Sequence, residues 1–251
     1  MFSRSITGLI LTAFIFAASM GCDKPLPEPI APETPYAFSP LKIGNYWEYA
    51  VDSIIYHETT GNDTTLWFVR EELIDTFYDL TGDLNYVIDR YRRKTDVDAW
   101  QLTNTWSVMQ VDGKMIRNEN NLRFVKLVSP PLNDVQWDGN VYLGGLDDLP
   151  YDEECNRLIY YEGWDYIYSN VNENYSIPDF DFENTITVEQ FGDSNLIWFD
   201  YAKEIYALDV GMVEKTFKHY YTQDITCPDC PWEQRVQCGF SVYMRLTDYQ
   251  L

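Results

Sequence analysis

The sequence predicts an all-β protein: a single antiparallel β domain, built as a strongly curved sheet resembling a half-barrel or as a β-sandwich, behind an extended N-terminal tether. Three observations predict it. Apolar and aromatic residues recur at every second position, most cleanly at Trp100, Leu102, Trp106 and Val108, the period of a strand with one buried face. Turn chemistry separates such stretches, as at Asp112-Gly113 between Val111 and Met115, where both central positions tolerate positive φ. No stretch holds a sustained i, i+3, i+4 apolar stripe, so at most one short helix fits, within Glu71–Leu80 or around Ala202–Ile205.

The first element is a leader. Arg4 precedes an apolar run from Ile6 to Ala18, followed by Ser19-Met20-Gly21 and then Cys22. A charged start, a short apolar core and a small residue before a cut read as a secretory signal over residues 1–21. The apolar run falls short of the roughly 20 residues that a membrane-spanning helix needs. A cysteine directly after the small residue resembles the lipoprotein box, which implies that Cys22 is lipidated and becomes the mature N-terminus. Residues 22–40 hold six of the twelve prolines and favour extended polyproline II, which builds no sheet ladder. At about 3.1 Å per residue this tether reaches some 50 Å.

The β domain is expected over residues 41–251. Trp47, Tyr49 and Val51 alternate with Glu48, Ala50 and Asp52, and Thr59–Asp63 is a turn cluster. Strands are expected at Thr65–Phe77, Tyr86–Lys94, Trp100–Val108 and Leu122–Val128, with Pro130-Pro131 stopping the last of these. Asp138-Gly139, between Trp137 and Val141-Tyr142, proposes a second tight hairpin. Later strands are expected at Leu158–Tyr161, Trp164–Tyr168, Thr185–Phe191, Leu196–Tyr206, Met212–Tyr221 and Phe240–Tyr249. With no fixed-period repeat and no internal linker, one domain is the economical reading.

Two segments resemble a known group. Phe38-Ser39-Pro40-Leu41-Lys42-Ile43-Gly44-Asn45-Tyr46-Trp47-Glu48-Tyr49 is similar to the F-x-P-L-x-x-G-N-x-W-x-Y opening of uncharacterised Bacteroidota outer-membrane lipoproteins. Tyr206-Ala207-Leu208-Asp209-Val210-Gly211-Met212-Val213 resembles their Y-A-x-x-V-G-x-V hairpin, and Trp137-Asp138-Gly139-Asn140 a W-D-G-N turn of the same group. The resemblance implies an exported, lipid-anchored β protein and supplies no catalytic residue. Gly44 and Gly211 are expected where a β-carbon would strain the backbone ahead of a strand.

Charge narrows the function classes. Loss of Arg4 with the leader leaves 17 basic against 40 acidic residues, a net charge of −23. Such an excess repels nucleic acid and anionic lipid heads. With 8 Trp, 20 Tyr and 13 Phe the chain has ample material for a core, which excludes a disordered acidic chain.

Of the remaining cysteines, Cys155, Cys227, Cys230 and Cys238 are an even set in a disulfide-permissive setting and are read as structural disulfides. Cys227-Pro228-Asp229-Cys230 is a C-x-x-C, but no βαβ pattern surrounds it and Pro231 suits a loop. A four-thiolate zinc site would lack its usual second C-x-x-C. Residues 144–189 carry twelve acids and one base. Within them Asp179, Asp181 and Glu183 are spaced by two, so an extended backbone aims three carboxylates one way, a candidate calcium site. The alternative is a solvated acidic edge. Tyr160, Tyr161, Trp164, Tyr166 and Tyr168 form the candidate binding surface, with flat faces suited to a glycan or lipid, against the plainer reading of core aromatics.

His57 and His219 are the only histidines, and no G-x-S-x-G, H-E-x-x-H, Walker or dinucleotide motif is present. No catalytic residue and no cofactor other than calcium is expected. The expectation is a non-enzymatic envelope lipoprotein at the outer membrane, facing periplasm or cell surface, that binds or scaffolds a glycan, a lipid or an envelope protein. The alternatives are a carboxylate-dependent enzyme on glycans and a structural assembly subunit. Two acids converging in a closed cleft would favour the enzyme.

Overall fold

In the computed structural model, which describes residues 34–144, 161 and 163–251, one antiparallel sheet of twelve strands rolls into a nearly closed barrel. The first half is a meander: β1 (Tyr46–His57), β2 (Gly61–Tyr78), β3 (Leu84–Arg93), β4 (Gln101–Val111), β5 (Lys114–Glu119) and β6 (Leu122–Val128). The second half is another: β7 (Gln136–Trp137), β8 (Tyr166–Ile177), β9 (Phe180–Ser194), β10 (Trp198–Ala207), β11 (Gly211–Tyr221) and β12 (Cys238–Gln250). β1 and β12 join the halves, so the spatial order runs from β6 back to β1, then from β12 back to β7.

Register explains why the sheet curls around one core. Trp47 faces Tyr249, Tyr49 faces Leu246 and Val51 faces Met244 across β1 and β12, while Tyr49 also faces Val69 of β2. These alternate residues share one face, and Tyr49, Val51, Val69, Met244 and Leu246 are all buried. Register shifts in most of the long pairs, such as that between Ile205 and Tyr206 on β10, add the local twist that bends a sheet.

The free edges, β6 and β7, meet at a seam. The Val125 amide donates to the Gly139 carbonyl at 2.8 Å, and the Trp137 indole donates to the Val125 carbonyl at 2.8 Å. The Tyr168 hydroxyl accepts from the Val128 amide at 2.7 Å and donates to the Val128 carbonyl at 2.8 Å. Asp138-Gly139 therefore does turn the chain, but no strand follows at Val141-Tyr142. A β-carbon on Gly139 would stand 2.5 Å from the Tyr166 ring, so this glycine serves close packing at the seam.

One end of the barrel is floored by the N-terminal arm, which corrects the expected tether boundary. Pro35–Phe38 forms a 3-10 turn, and Phe38 is wholly buried. The Tyr36 hydroxyl accepts from the Gly113 amide at 2.8 Å, the Asp209 amide donates to Ala37 at 2.7 Å, and Gln110 donates to the Ser39 carbonyl at 2.6 Å. Proline richness marked the segment as extended, but its two aromatic rings bring the last residues onto the barrel. Burying the Phe38 ring contributes about 1.5–3 kcal/mol.

Both proposed helical windows are strand, in β2 and β10; the described residues hold one four-residue helix, α1 (Trp232–Arg235). The acidic stretch after Tyr168 also continues as strand, with Asn170 and Asn172 at positive φ where β8 slips against β9. The expected strand at Leu158–Tyr161 lies outside the described residues except for Tyr161, which stands in a turn. Gly44, two residues before β1, and Gly211, the first residue of β11, take the positive φ expected of them, 94° and 109°.

Candidate functional site

The barrel interior changes character along its axis. Near the arm it is mainly apolar, and the charges begin at Glu71, level with Trp47. On β2, Glu71 points inward between Val69 and Leu73, and Arg90 of β3 lies opposite it in register. On β5, Arg117 and Glu119 are two apart and so share the inward face. Lys126 of β6, Glu204 and Tyr206 of β10 and Lys215 of β11 complete a ring of charge inside the sheet.

The ring is one connected network. Glu71 accepts from Arg117 at 2.9 Å and pairs with Arg90 at 3.4 Å. Glu119 pairs with Arg117 at 3.0 Å and with Lys126 at 3.7 Å. Glu204 takes Lys126 and Lys215, each at 2.9 Å, and accepts from the Tyr206 hydroxyl at 2.7 Å. Three carboxylates thus meet four cations. Trp106 stands over the ring, with the Arg90 guanidinium 4.8 Å and the Arg117 guanidinium 5.4 Å from its centre. Its indole donates to Asn120 at 3.2 Å.

Ionisation follows from these contacts. Burial pushes the Glu119 carboxyl up, but Lys126, Arg117 and Lys215 outweigh it and hold the group down at about 2. Burial opposes ionisation of Glu204 too, and Lys126 and Lys215 hold it lower still. Burial favours neutral Lys215, yet Glu204 and Glu119 keep it charged beyond the ordinary lysine range. For Arg117, burial works against the charge and Glu71 and Glu119 restore it. Burial lifts the Tyr161 hydroxyl to about 12.

Above this ring lies a cavity of about 290 Å³, lined by Glu71, Arg90, Trp106, Arg117, Glu119, Asn120, Glu204, Tyr206, Met212, Lys215, Phe217, Val242 and Met244. Its size is near the lower end of small-molecule sites, and its mix of aromatic wall and convergent polar groups is typical of them. A lesser cavity of about 30 Å³ sits nearer the arm, between Ser39, Leu41, Trp47 and Met212.

The sequence did not single out these residues. Its aromatic candidates lie elsewhere: Trp164, Tyr166 and Tyr168 are core residues with 6 %, 1 % and 0 % of their surface exposed, which corrects the expected binding surface. The reason is the strand period, since the even positions of β8 turn inward, with Tyr168 against Trp137. Tyr161 is half-buried at positive φ against Phe124 and Trp164, and Tyr160 lies outside the described residues. The signal that could have found the ring was a charge where strand alternation calls for an apolar residue. Lys126 in Phe124–Val128 is the clearest case, and Glu71 between Val69 and Leu73 another.

The proposed calcium ligands are not brought together. Asp179 stands in the β8–β9 turn, Asp181 and Glu183 are exposed on β9, and Asp181 accepts from Ser176 at 2.5 Å. Among the described residues no three His, Cys, Asp or Glu side chains are placed to hold a metal ion. Cys227 and Cys230 form a disulfide, which removes them as zinc thiolates, and Cys238 is disulfide-bonded as well. Cys22 and Cys155 lie outside the described residues. His57 pairs with Asp63 at 3.1 Å beside the β1–β2 turn, and buried His219 pairs with Asp200; neither lines the cavity.

No protein-family model and no curated protein matches this sequence. Among solved structures, the chain is similar to a Bacteroides fragilis protein described as exported with a YmcC-like fold. Identity there is 11 %, covering 84 % of this chain and 98 % of that one, with a TM-score of 0.39. It is also similar to a Parabacteroides distasonis protein described as a lipoprotein, at 12 % identity over 85 % of this chain and 98 % of that one, with a TM-score of 0.34.

Proposed function

We propose that the chain is a cell-envelope lipoprotein that holds a small ligand inside its barrel and catalyses no reaction. The cavity over the Glu71–Arg90–Arg117–Glu119–Lys126–Glu204–Lys215 ring carries this reading. As a device for stability the ring is a poor choice. Removing seven charges from water is costly, and well-packed apolar residues of like volume often do as well or better. A barrel that keeps them beside an open space is arranged for something that enters it. The leader and Cys22 supply the location.

The same ionisation argues against hydrolysis. Glu119 and Glu204 both reach Lys126 and so lie close together. A glycosidase pair needs one carboxyl that stays protonated near neutral pH. Here the cations hold both well below the usual carboxylate range.

The test is to purify the protein from detergent-solubilised envelope, unfold it in methanol and weigh what is released. The expected result is one small organic molecule per chain, recovered with a protein whose mass shows diacylglycerol on Cys22. A chain that is found in the cytosol, or that releases nothing, overturns the reading.

A further inference from the structure

We propose that the cavity selects an organic anion: one acidic group, a carboxylate or a phosphate or sulfate ester, joined to a flat or apolar body. This rests on the cavity reading and names the class of ligand for it.

The ring's composition points there first. The ring sets four cations against three carboxylates, and the cavity wall itself, which Lys126 does not line, carries Arg90, Arg117 and Lys215 against Glu71, Glu119 and Glu204, an even balance inside a chain whose net charge is −22. In a chain with 40 acidic and 18 basic residues, an interior wall with as many cations as carboxylates departs from the overall balance. The layering of the charges points the same way. Arg90 and Lys215 each keep 21 % of their side-chain surface, whereas their partners Glu71 and Glu204 keep 5 % and 2 %. At these two pairs the carboxylate sits behind and the cation in front, so a ligand entering beside Arg90 and Lys215 meets donors, while Glu119, 15 % exposed, stands as far forward as Arg117 at 13 %. In a site of low dielectric, with the cations fixed by partners behind them, a charge-assisted hydrogen bond to an entering anion is strong.

The body of the ligand is set by what faces those cations. Trp106 stacks on Arg90 and, with Phe217, Met244 and Val242, gives the cavity its aromatic and apolar walls. A free inorganic ion would leave those walls empty, and a neutral hydrophobe would leave the exposed flanks of Arg90 and Lys215, beyond their contacts with Glu71 and Glu204, without a further acceptor. A molecule with both parts satisfies both.

Two dyes with one skeleton test this: anilinonaphthalene sulfonate, an aromatic monoanion, and N-phenylnaphthylamine, its uncharged counterpart. Binding is read by fluorescence titration on the ligand-stripped protein. The sulfonate is expected to bind one per chain and more tightly than the neutral dye. Arg90→Gln and Lys215→Gln should each weaken the sulfonate about tenfold or more while leaving the neutral dye unchanged. Each variant leaves its glutamate a second partner, Arg117 for Glu71 and Lys126 for Glu204, so the barrel keeps its fold, checked by thermal unfolding. Arg90→Lys should recover most of the loss.

Equal affinity for the two dyes, or Arg90→Gln and Lys215→Gln proteins that bind the sulfonate normally, overturns the anion proposal and leaves the cavity reading standing. If both dyes bind undiminished to Met244→Trp, whose added ring fills the cavity, binding lies elsewhere and the cavity reading fails with it.

Discussion

At the scale of single residues the molecule is dominated by buried charge. Glu204 holds Lys126 and Lys215 at once, and Lys126 keeps only 4 % of its side-chain surface. Glu204→Gln leaves Lys126 its 3.7 Å contact with Glu119 and strands Lys215. Breaking a buried pair on one side typically costs about 3–5 kcal/mol, and urea unfolding of the variant should show a loss of that order. Glu119 carries part of the pH dependence, beside Glu204, which is held lower still. The folded Glu119 carboxyl is held down at about 2, against an ordinary 4.5. Its contribution is therefore full above pH 4.5 and is lost as the pH falls through that value toward 2. Thermal unfolding should weaken over that window, and Glu119→Gln should flatten the slope.

These residues also show where reading the sequence stopped. Lys126 and Glu71 each sit in an apolar strand run, and period alone cannot say whether such a charge faces water or a cavity. Only the partners decide, and they come from other strands far along the chain: Glu204 is 78 residues from Lys126. The aromatic candidates failed for a related reason. Tyr166 and Tyr168 have the same composition whether they face in or out, and the seam, which turns them inward, is closed by the distant Val128 and Trp137.

At the scale of elements the strands were legible wherever one face was consistently apolar. β1, β3, β4, β6 and β11 fall close to where alternation places them, and Asp112 and Gly113 take φ of 50° and 72°, as their hairpin requires. β8 was cut short in the reading because its second half is polar on both faces and slips register twice. The arm was misread because proline content describes the free chain, not what a single buried ring does to it. Phe38→Ala should cost about 3–5 kcal/mol and should expose the bonds around Pro35–Leu41 to protease while the barrel stays resistant. Gly239 is a sterner case. At φ of 129° on β12, its added β-carbon would collide with the His219 carbonyl of β11. Gly239→Ala should lower the thermal midpoint more than an alanine at Gly61, where nothing stands within 4 Å.

At the scale of the whole molecule, two meanders closed by their terminal strands enclose a space that the arm floors at one end. Fold class was within reach of the sequence because period and turn chemistry are local. Closure was not, since the pairing of Trp47 with Tyr249 joins strands about two hundred residues apart. That closure gives the charged ring an inside, and the proposed ligand a place to be.

Native mass spectrometry of the envelope-extracted protein, beside its Met244→Trp variant, tests this most directly. The account predicts a wild-type chain carrying one small-molecule adduct and a folded variant carrying none. An adduct of the same mass and occupancy on the filled variant would contradict it.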